Sequence, residues 1–150
     1  MKSEIEIRQA VAADLQSLQE LLAQLFTIEQ DFQPDAQRQL RGLRLLLEEP
    51  KAALFVAELS GRPVAMATLQ ILISTAQGGP VGLVEDVVVD ESLRGRGIGR
   101  LLLEHLEAWA WERGLTRLQL LADSANRQAL TFYERRDWSA TSLVALRKIR

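Results

Sequence analysis

The sequence predicts an α/β fold: one domain in which strands and helices interleave around a single sheet. Three observations lead there. Short apolar stretches, alternating or continuous, recur along the chain at strand spacing. Between them lie four longer segments with apolar residues three and four apart, which is helical spacing. The length, 150 residues at 47% hydrophobic, suits one ordinary core that needs no disulfide or metal to fold.

In order, "IEIR" (5–8) is short and alternating, like an edge strand. Asp14 then precedes Leu15, Leu18, Leu22, Leu25 and Phe26, the apolar face of a helix. "QDFQPDAQ" interrupts it at Pro34, and a second helix is expected from about Asp35 to Glu49, with Leu40, Leu43 and Leu47 on one face and Pro50 after it. "AALFVAEL" (52–59) and "PVAMATLQILI" (63–73) flank Ser60–Gly61 as a β-hairpin. "STAQGGPVG" (74–82) reads as a loop and "GLVEDVVVD" (82–90) as the next strand. Residues 97–113 form the strongest helical pattern and end at Gly114. A strand over 115–122, a helix over 126–136 and one or two final strands over 138–149 complete the chain.

Composition removes several functions. No cysteine is present, which excludes disulfides, thiolate metal sites and cysteine nucleophiles, and a single histidine, His105, excludes a multi-histidine metal centre. A net charge of −2 argues against a general nucleic-acid binder. The start of the chain lacks an apolar signal core and no run of 18 apolar residues exists, so no membrane partner and a cytoplasmic location are expected.

The densest local signal is "LRGRGIGR" (93–100), three glycines and three arginines between a strand and a helix. Backbone N–H groups at a helix N-terminus lack intrahelical partners, and the helix dipole adds positive potential, so this junction suits an anion. A P-loop would need Lys and Ser/Thr after its last glycine, and Gly99 is followed by Arg100 and Leu101. A dinucleotide fingerprint would need glycine at position 100, which is Arg. A tight strand–helix turn without a ligand is the plain alternative.

The spacing Arg94-x-x-Gly97-x-Gly99, directly after "VEDVVVD", resembles the cofactor signature of the GNAT acetyltransferase superfamily. "ADSANRQALTFYERRDW" (122–138) is similar to that family's second signature, an Asn opening a helix that carries Phe-Tyr-Glu. The element order is similar over essentially the whole chain. Asp137 departs from the pattern, which has Gly before the last aromatic, although Asp tolerates a left-handed backbone better than most residues.

The resemblance implies a mostly antiparallel central sheet flanked by helices and splayed after its fourth strand. It implies acetyl-CoA as co-substrate, with the pyrophosphate on Arg94, Gly95, Arg96, Gly97, Ile98, Gly99 and Arg100, and the pantetheine arm along Val87, Val88 and Val89 like an added strand. It places Tyr133, the sole tyrosine, as the general acid that protonates the departing thiolate. Asn126 either binds the cofactor arm, as the resemblance implies, or caps its helix, a role open also to Ser124 and Asp123. Family members often use an acid in the strand before the loop. Glu85 and Asp86 alternate to opposite faces, and Glu85 is the candidate base, in phase with Val87 and Val89. His105 is in step with Ile98, Leu101, Leu102 and Trp109 and reads as a packing residue.

The expected activity is acetyl transfer to a primary amine by direct attack, since no cysteine or Ser–His arrangement supports a covalent acyl-enzyme. A catalytically silent acyl-CoA-binding or regulatory module of the same fold is the alternative. The acceptor, a small molecule or a peptide amine, is open, as are strict use of acetyl over other acyl groups and oligomeric state, a homodimer included. Residues 1–35 hold seven acids, among them Glu29, Asp31 and Asp35, against two bases, and the rest of the chain holds 13 acids and 16 bases. Acids near the acceptor would favour a cationic amine, and the plain reading is that they are solvated faces.

Overall fold

The computed structural model describes residues 4–28 and 35–150. Glu29, Asp31 and Pro34 lie outside the described residues. The element order is β1 (Ile5–Gln9), a 3₁₀ turn (Ala12–Asp14), α1 (Leu15–Ile28), α2 (Ala36–Glu48), β2 (Ala52–Leu59), β3 (Arg62–Ser74) and β4 (Gly79–Val89). A second 3₁₀ turn (Glu91–Leu93), α3 (Ile98–Glu112), β5 (Leu118–Leu120) and α4 (Arg127–Glu134) follow. Five strands form one sheet in the order β1-β2-β3-β4-β5, antiparallel from β1 to β4. The mixed, mostly antiparallel sheet with flanking helices is the fold the sequence predicted. The chain divides into two compact units, Met1–Gln119 and Leu120–Arg150.

In the first unit, alternation along β2 sends neighbouring residues to opposite faces. Val56 joins Leu18, Leu21, Leu22, Leu43, Leu54, Met66 and Val88 in a buried cluster beneath α1 and α2. Phe55 points the other way and meets the rings of His105 and Trp109 on α3, edge to face at 5.7 and 5.6 Å. His105 is therefore a packing residue on an exposed helix face, as its spacing indicated. The turn at Ser60–Gly61 has positive φ at both residues, 52° and 79°, which is the turn twist that matches a two-residue hairpin.

Three boundaries differ from expectation. The loop expected over 74–82 is a tight turn over 75–78, because Gly78 (φ 73°) reverses the chain and Gly79 to Val81 pair with Ser74 to Leu72. The strand expected over 115–122 shrinks to Leu118–Leu120 at the edge of the sheet. No strand forms over 138–149. Its apolar spacing records a tendency, but a strand exists only by ladder pairing, which spacing does not encode.

The entry to α1 is fixed by charge. Buried Asp14 accepts from Arg8 Nη1 at 2.7 Å and Nη2 at 3.0 Å and from the Val11 N–H at 2.8 Å, while Arg8 also reaches Glu58 Oε1 at 3.0 Å. The Arg8 hydrogen bonds hold the Asp14 carboxyl below the usual carboxylate range. A group depressed in the folded state stabilises fully above its unfolded value, near pH ~4, and the contribution is lost as pH falls through the folded value. Asp14→Asn is expected to cost about 1–3 kcal/mol at neutral pH, since a buried partner is left incompletely paired. Urea titration at pH 7 and pH 3 checks this. The gap from wild type should narrow at the lower pH, and an equal gap at both would rule out the charge as its origin.

Candidate active site

The glycine loop follows β4 as its residue types demand. Asp90 accepts from the Ser92 N–H at 3.0 Å and from Ser92 Oγ at 2.7 Å, which winds the turn over 91–93. Those hydrogen bonds hold the Asp90 carboxyl below its ordinary range. Gln24 on α1 accepts from the Glu91 N–H at 3.1 Å and ties the loop to the first helix. Arg94 donates from Nε to the Val89 carbonyl at 3.1 Å.

Gly95 and Gly97 have φ of 77° and 81°, a region closed to most side-chain-bearing residues. Gly97 is the N-cap of α3, and no side chain caps this helix. The Leu101 N–H already bonds the Gly97 carbonyl at 3.2 Å. The Ile98, Gly99 and Arg100 N–H groups therefore open the helix without a capping side chain, at its positive end. A Cβ built on Gly97 would meet only Arg100 Nη2, at 3.8 Å, and one on Gly95 would meet nothing within 4 Å. Glycine is required here by backbone conformation and not by crowding within the protein. Arg100 pairs with Glu104 at 3.6 Å, and Arg94 and Arg96 have no acidic partner among the described residues. Uncapped amides with three arginines in the same eight residues suit an anionic phosphate better than a plain turn does.

The strand ahead of the loop holds a feature absent from the sequence reading. Thr68 pairs with Glu85 and Met66 with Val88, so Ala67 alone opposes both Asp86 and Val87. This is a β-bulge, and Asp86 takes the left-handed conformation, φ 53°. The buried Thr68 hydroxyl donates to the Glu85 carbonyl at 3.0 Å and secures the bulge from the neighbouring strand. The extra residue shifts the alternation by one. Glu85 is thus in phase with Val88 and not, as strict alternation suggested, with Val87 and Val89. Its face is that of Thr68 and Met66, the side covered by α1 and α2, and Glu85 itself is exposed beyond that core. Asp in a run of Val was the available signal, because Asp accepts positive φ more readily than a β-branched residue.

The second unit carries the other two candidates on one helix. Asn126 is the N-cap of α4, and its Oδ1 accepts from the Ala129 N–H at 3.1 Å. The capping alternative is thus realised for its oxygen, leaving the side-chain NH₂ as a donor. Tyr133 lies seven residues on, close to two turns, so both share a face. The Tyr133 ring is half-buried between Phe132 at 5.2 Å and Trp138 at 5.8 Å. Asp137 adopts φ 65°, and the Trp138 N–H closes back on the Tyr133 carbonyl at 3.1 Å, so the turn forms without the glycine. Among the described residues no cluster of His, Asp or Glu could hold a metal ion, and no helix is long and apolar enough to cross a membrane.

Comparison with known proteins agrees with this arrangement. The family model described as acetyltransferase (GNAT) family matches residues 15–138. An uncharacterised N-acetyltransferase of Methanocaldococcus jannaschii is 31% identical over 91 residues, 60% of this chain and 40% of that protein. The chain thus spans well under half of that relative. Aminoglycoside N(6')-acetyltransferase type 1 of Stenotrophomonas maltophilia is 30% identical over 116 residues, 75% of this chain and 71% of the relative. A solved aminoglycoside N-acetyltransferase in complex with CoA superposes with a TM-score of 0.86, covering 100% of this chain and 97% of that one, and at 21% identity it speaks to the fold alone. With both signatures inside the matched span, the chain belongs to the GNAT family of acetyltransferases.

Proposed function

We propose that the chain works as one domain, an N-acetyltransferase that moves an acetyl group from acetyl-CoA to a primary amine by direct attack. The observation that carries this reading is the uncapped N-terminus of α3 behind two left-handed glycines. It offers amides and arginines to a pyrophosphate at the loop where the resemblance implies one. Residues Arg94 to Arg100 would hold the phosphates. The backbone of Val87 to Val89 and the Asn126 NH₂ would hold the pantetheine arm, although Arg94 already uses the Val89 carbonyl. Bound acetyl-CoA supplies an activated thioester. Glu85 would take the proton from the amine, directly or through water, on the α1/α2 side of the sheet. Tyr133 would deliver a proton to the thiolate. The reaction is placed in the cytoplasm, with no nucleic acid or membrane as partner.

The acceptor is read as a small cationic amine. The relative in Stenotrophomonas is named for an aminoglycoside, a polyamine sugar, and the first 35 residues are strongly acidic. Asp35 is partly spoken for, since it caps α2 through the Arg38 N–H at 3.1 Å and pairs with the Arg38 side chain at 3.5 Å. Thiol release from acetyl-CoA with spermidine, kanamycin, glucosamine 6-phosphate and a peptide with a free N-terminus tests the reading. Turnover with spermidine or kanamycin supports it. Acetyl-CoA binding without turnover of any amine would point to a silent module.

The loop assignment has its own test. Gly97→Val forces a β-branched residue to a φ of 81° and places its side chain where the phosphates would lie. The acetyl-CoA dissociation constant is expected to rise at least ~10-fold, about 1.4 kcal/mol. Calorimetric titration of the folded variant reads this directly, and an unchanged affinity would move the cofactor away from the loop.

A further inference from the structure

Helix α1 packs over the end of β4, where Leu18, Leu21 and Leu22 meet Val88 in the buried cluster. Gln24 lies one turn beyond Leu21, at the margin of that apolar face, and is half-buried. A glutamine there is ordinarily part of the solvated face of its helix. This one reaches across 67 positions of sequence, and its side-chain oxygen accepts from the Glu91 N–H at 3.1 Å.

The turn over 91–93 needs that partner. The first N–H groups of a helical turn have none of their own. The Ser92 N–H goes to the Asp90 carboxylate at 3.0 Å, and the Leu93 N–H to the Asp90 carbonyl at 2.9 Å. The Asp90 N–H donates to the Val64 carbonyl at 2.8 Å. The Glu91 N–H is left over, and Gln24 takes it. The Asp90 carboxyl, held low first by the Ser92 hydroxyl and N–H, is held down further by the Gln24 amide and the charge of Arg62. Every N–H from Asp90 to Leu93 is thus committed within the protein, whereas the uncapped amides of α3 begin after Gly97. Two left-handed glycines, Gly95 and Gly97, lie between. Glycine backbone is intrinsically free, so the aim of the loop is set by what anchors its ends.

We propose that Gln24 is a positioning residue for the cofactor: by holding the Glu91 N–H from α1, it fixes the turn from which the glycine loop rises, so the α3 amides meet the phosphates already aimed. The inference rests on the acetyl-CoA reading of the loop. It adds a residue that lies outside both signatures, on a helix that covers the Glu85 face of the sheet. One rigid element thus borders the amine side and holds the cofactor side. Without the tie, the turn gains freedom in the unbound protein, and cofactor binding must restore the lost order.

Gln24→Met keeps the length of the side chain and removes the amide. The acetyl-CoA dissociation constant, read by calorimetry, should rise roughly 3- to 10-fold, the equivalent of one ordinary hydrogen bond. In the ligand-free variant, hydrogen exchange at the Glu91, Ser92 and Leu93 amides should quicken by about 3-fold or more, with exchange in β2 and β3 unchanged. Gln16→Met is the control. Gln16 is exposed on the same helix, bonds Glu20 at 3.3 Å, and should leave both readings at wild type. Should the Met variant fold poorly, Gln24→Ala, a better helix former, gives the same two readings. A merely structural tie would lower the melting temperature and leave the dissociation constant alone, and that result overturns the proposal. Acetyl-CoA binding that is weakened by Gly97→Val but not by Gln24→Met removes the role of Gln24 and leaves the loop assignment standing. Wild-type protein that binds no acetyl-CoA removes both.

Discussion

Tyr133→Phe is expected to lower turnover by ~10²–10⁴, the usual contribution of a positioned general acid, and to leave acetyl-CoA affinity unchanged. The substitution keeps the packing of the ring. The ring is held between Phe132 and Trp138 at 5.2 and 5.8 Å, and Phe retains both contacts. The backbone around it is fixed independently, by the Arg136 and Trp138 N–H groups on the Tyr133 carbonyl at 2.9 and 3.1 Å. Only the hydroxyl is lost. The proton transfer to the departing thiolate is driven by charge developing on sulfur as the C–S bond breaks. The effect should therefore appear in kcat and not in cofactor binding. Stopped-flow turnover under conditions where chemistry limits the rate, with calorimetry as the binding control, reads both quantities. Near-wild-type turnover would remove Tyr133 from the mechanism.

The parts of this molecule legible in its sequence are those whose cause is local. Helix α3 announced itself through apolar spacing, and its ends through Gly97 and Gly114, whose positive φ values of 81° and 75° are a glycine's business. The capping option for Asn126 was open for the same reason: a side-chain oxygen can satisfy an N–H three residues on. The features that escaped depend on a partner strand. Whether 138–149 is a strand is decided by what pairs with it, and no periodicity encodes that. The bulge at Asp86 arises from a register mismatch between β3 and β4, which strict alternation along one strand cannot reveal. Its consequence was the wrong set of companions for Glu85, which reopens the choice between Glu85 and Asp86.

That choice is decided by pH. Glu85→Gln is expected to slow acetyl transfer most at low pH. An acceptor amine with a pKa between about 8 and 10 is almost wholly protonated at neutral pH. An enzyme with a base accepts the ammonium and removes its proton in the site. Without the base, the reaction depends on the free amine already present, which falls about tenfold for each pH unit below the amine pKa, by the definition of that constant. The Gln variant should thus approach a slope of one in log rate against pH, while wild type is flatter. The ratio between them should widen toward acid and close toward alkaline pH, reaching the ~10²–10⁴ typical of general base catalysis at its widest. The control is Asp86→Asn. Asn tolerates the left-handed φ of 53° that Asp86 occupies, so the bulge and the face of Glu85 are preserved while the charge is removed. Asp86→Asn should leave the slope at its wild-type value. Should the steep limb appear in Asp86→Asn and not in Glu85→Gln, the bulge presents Asp86 to the acceptor, and the proton leaves by the opposite face of β4.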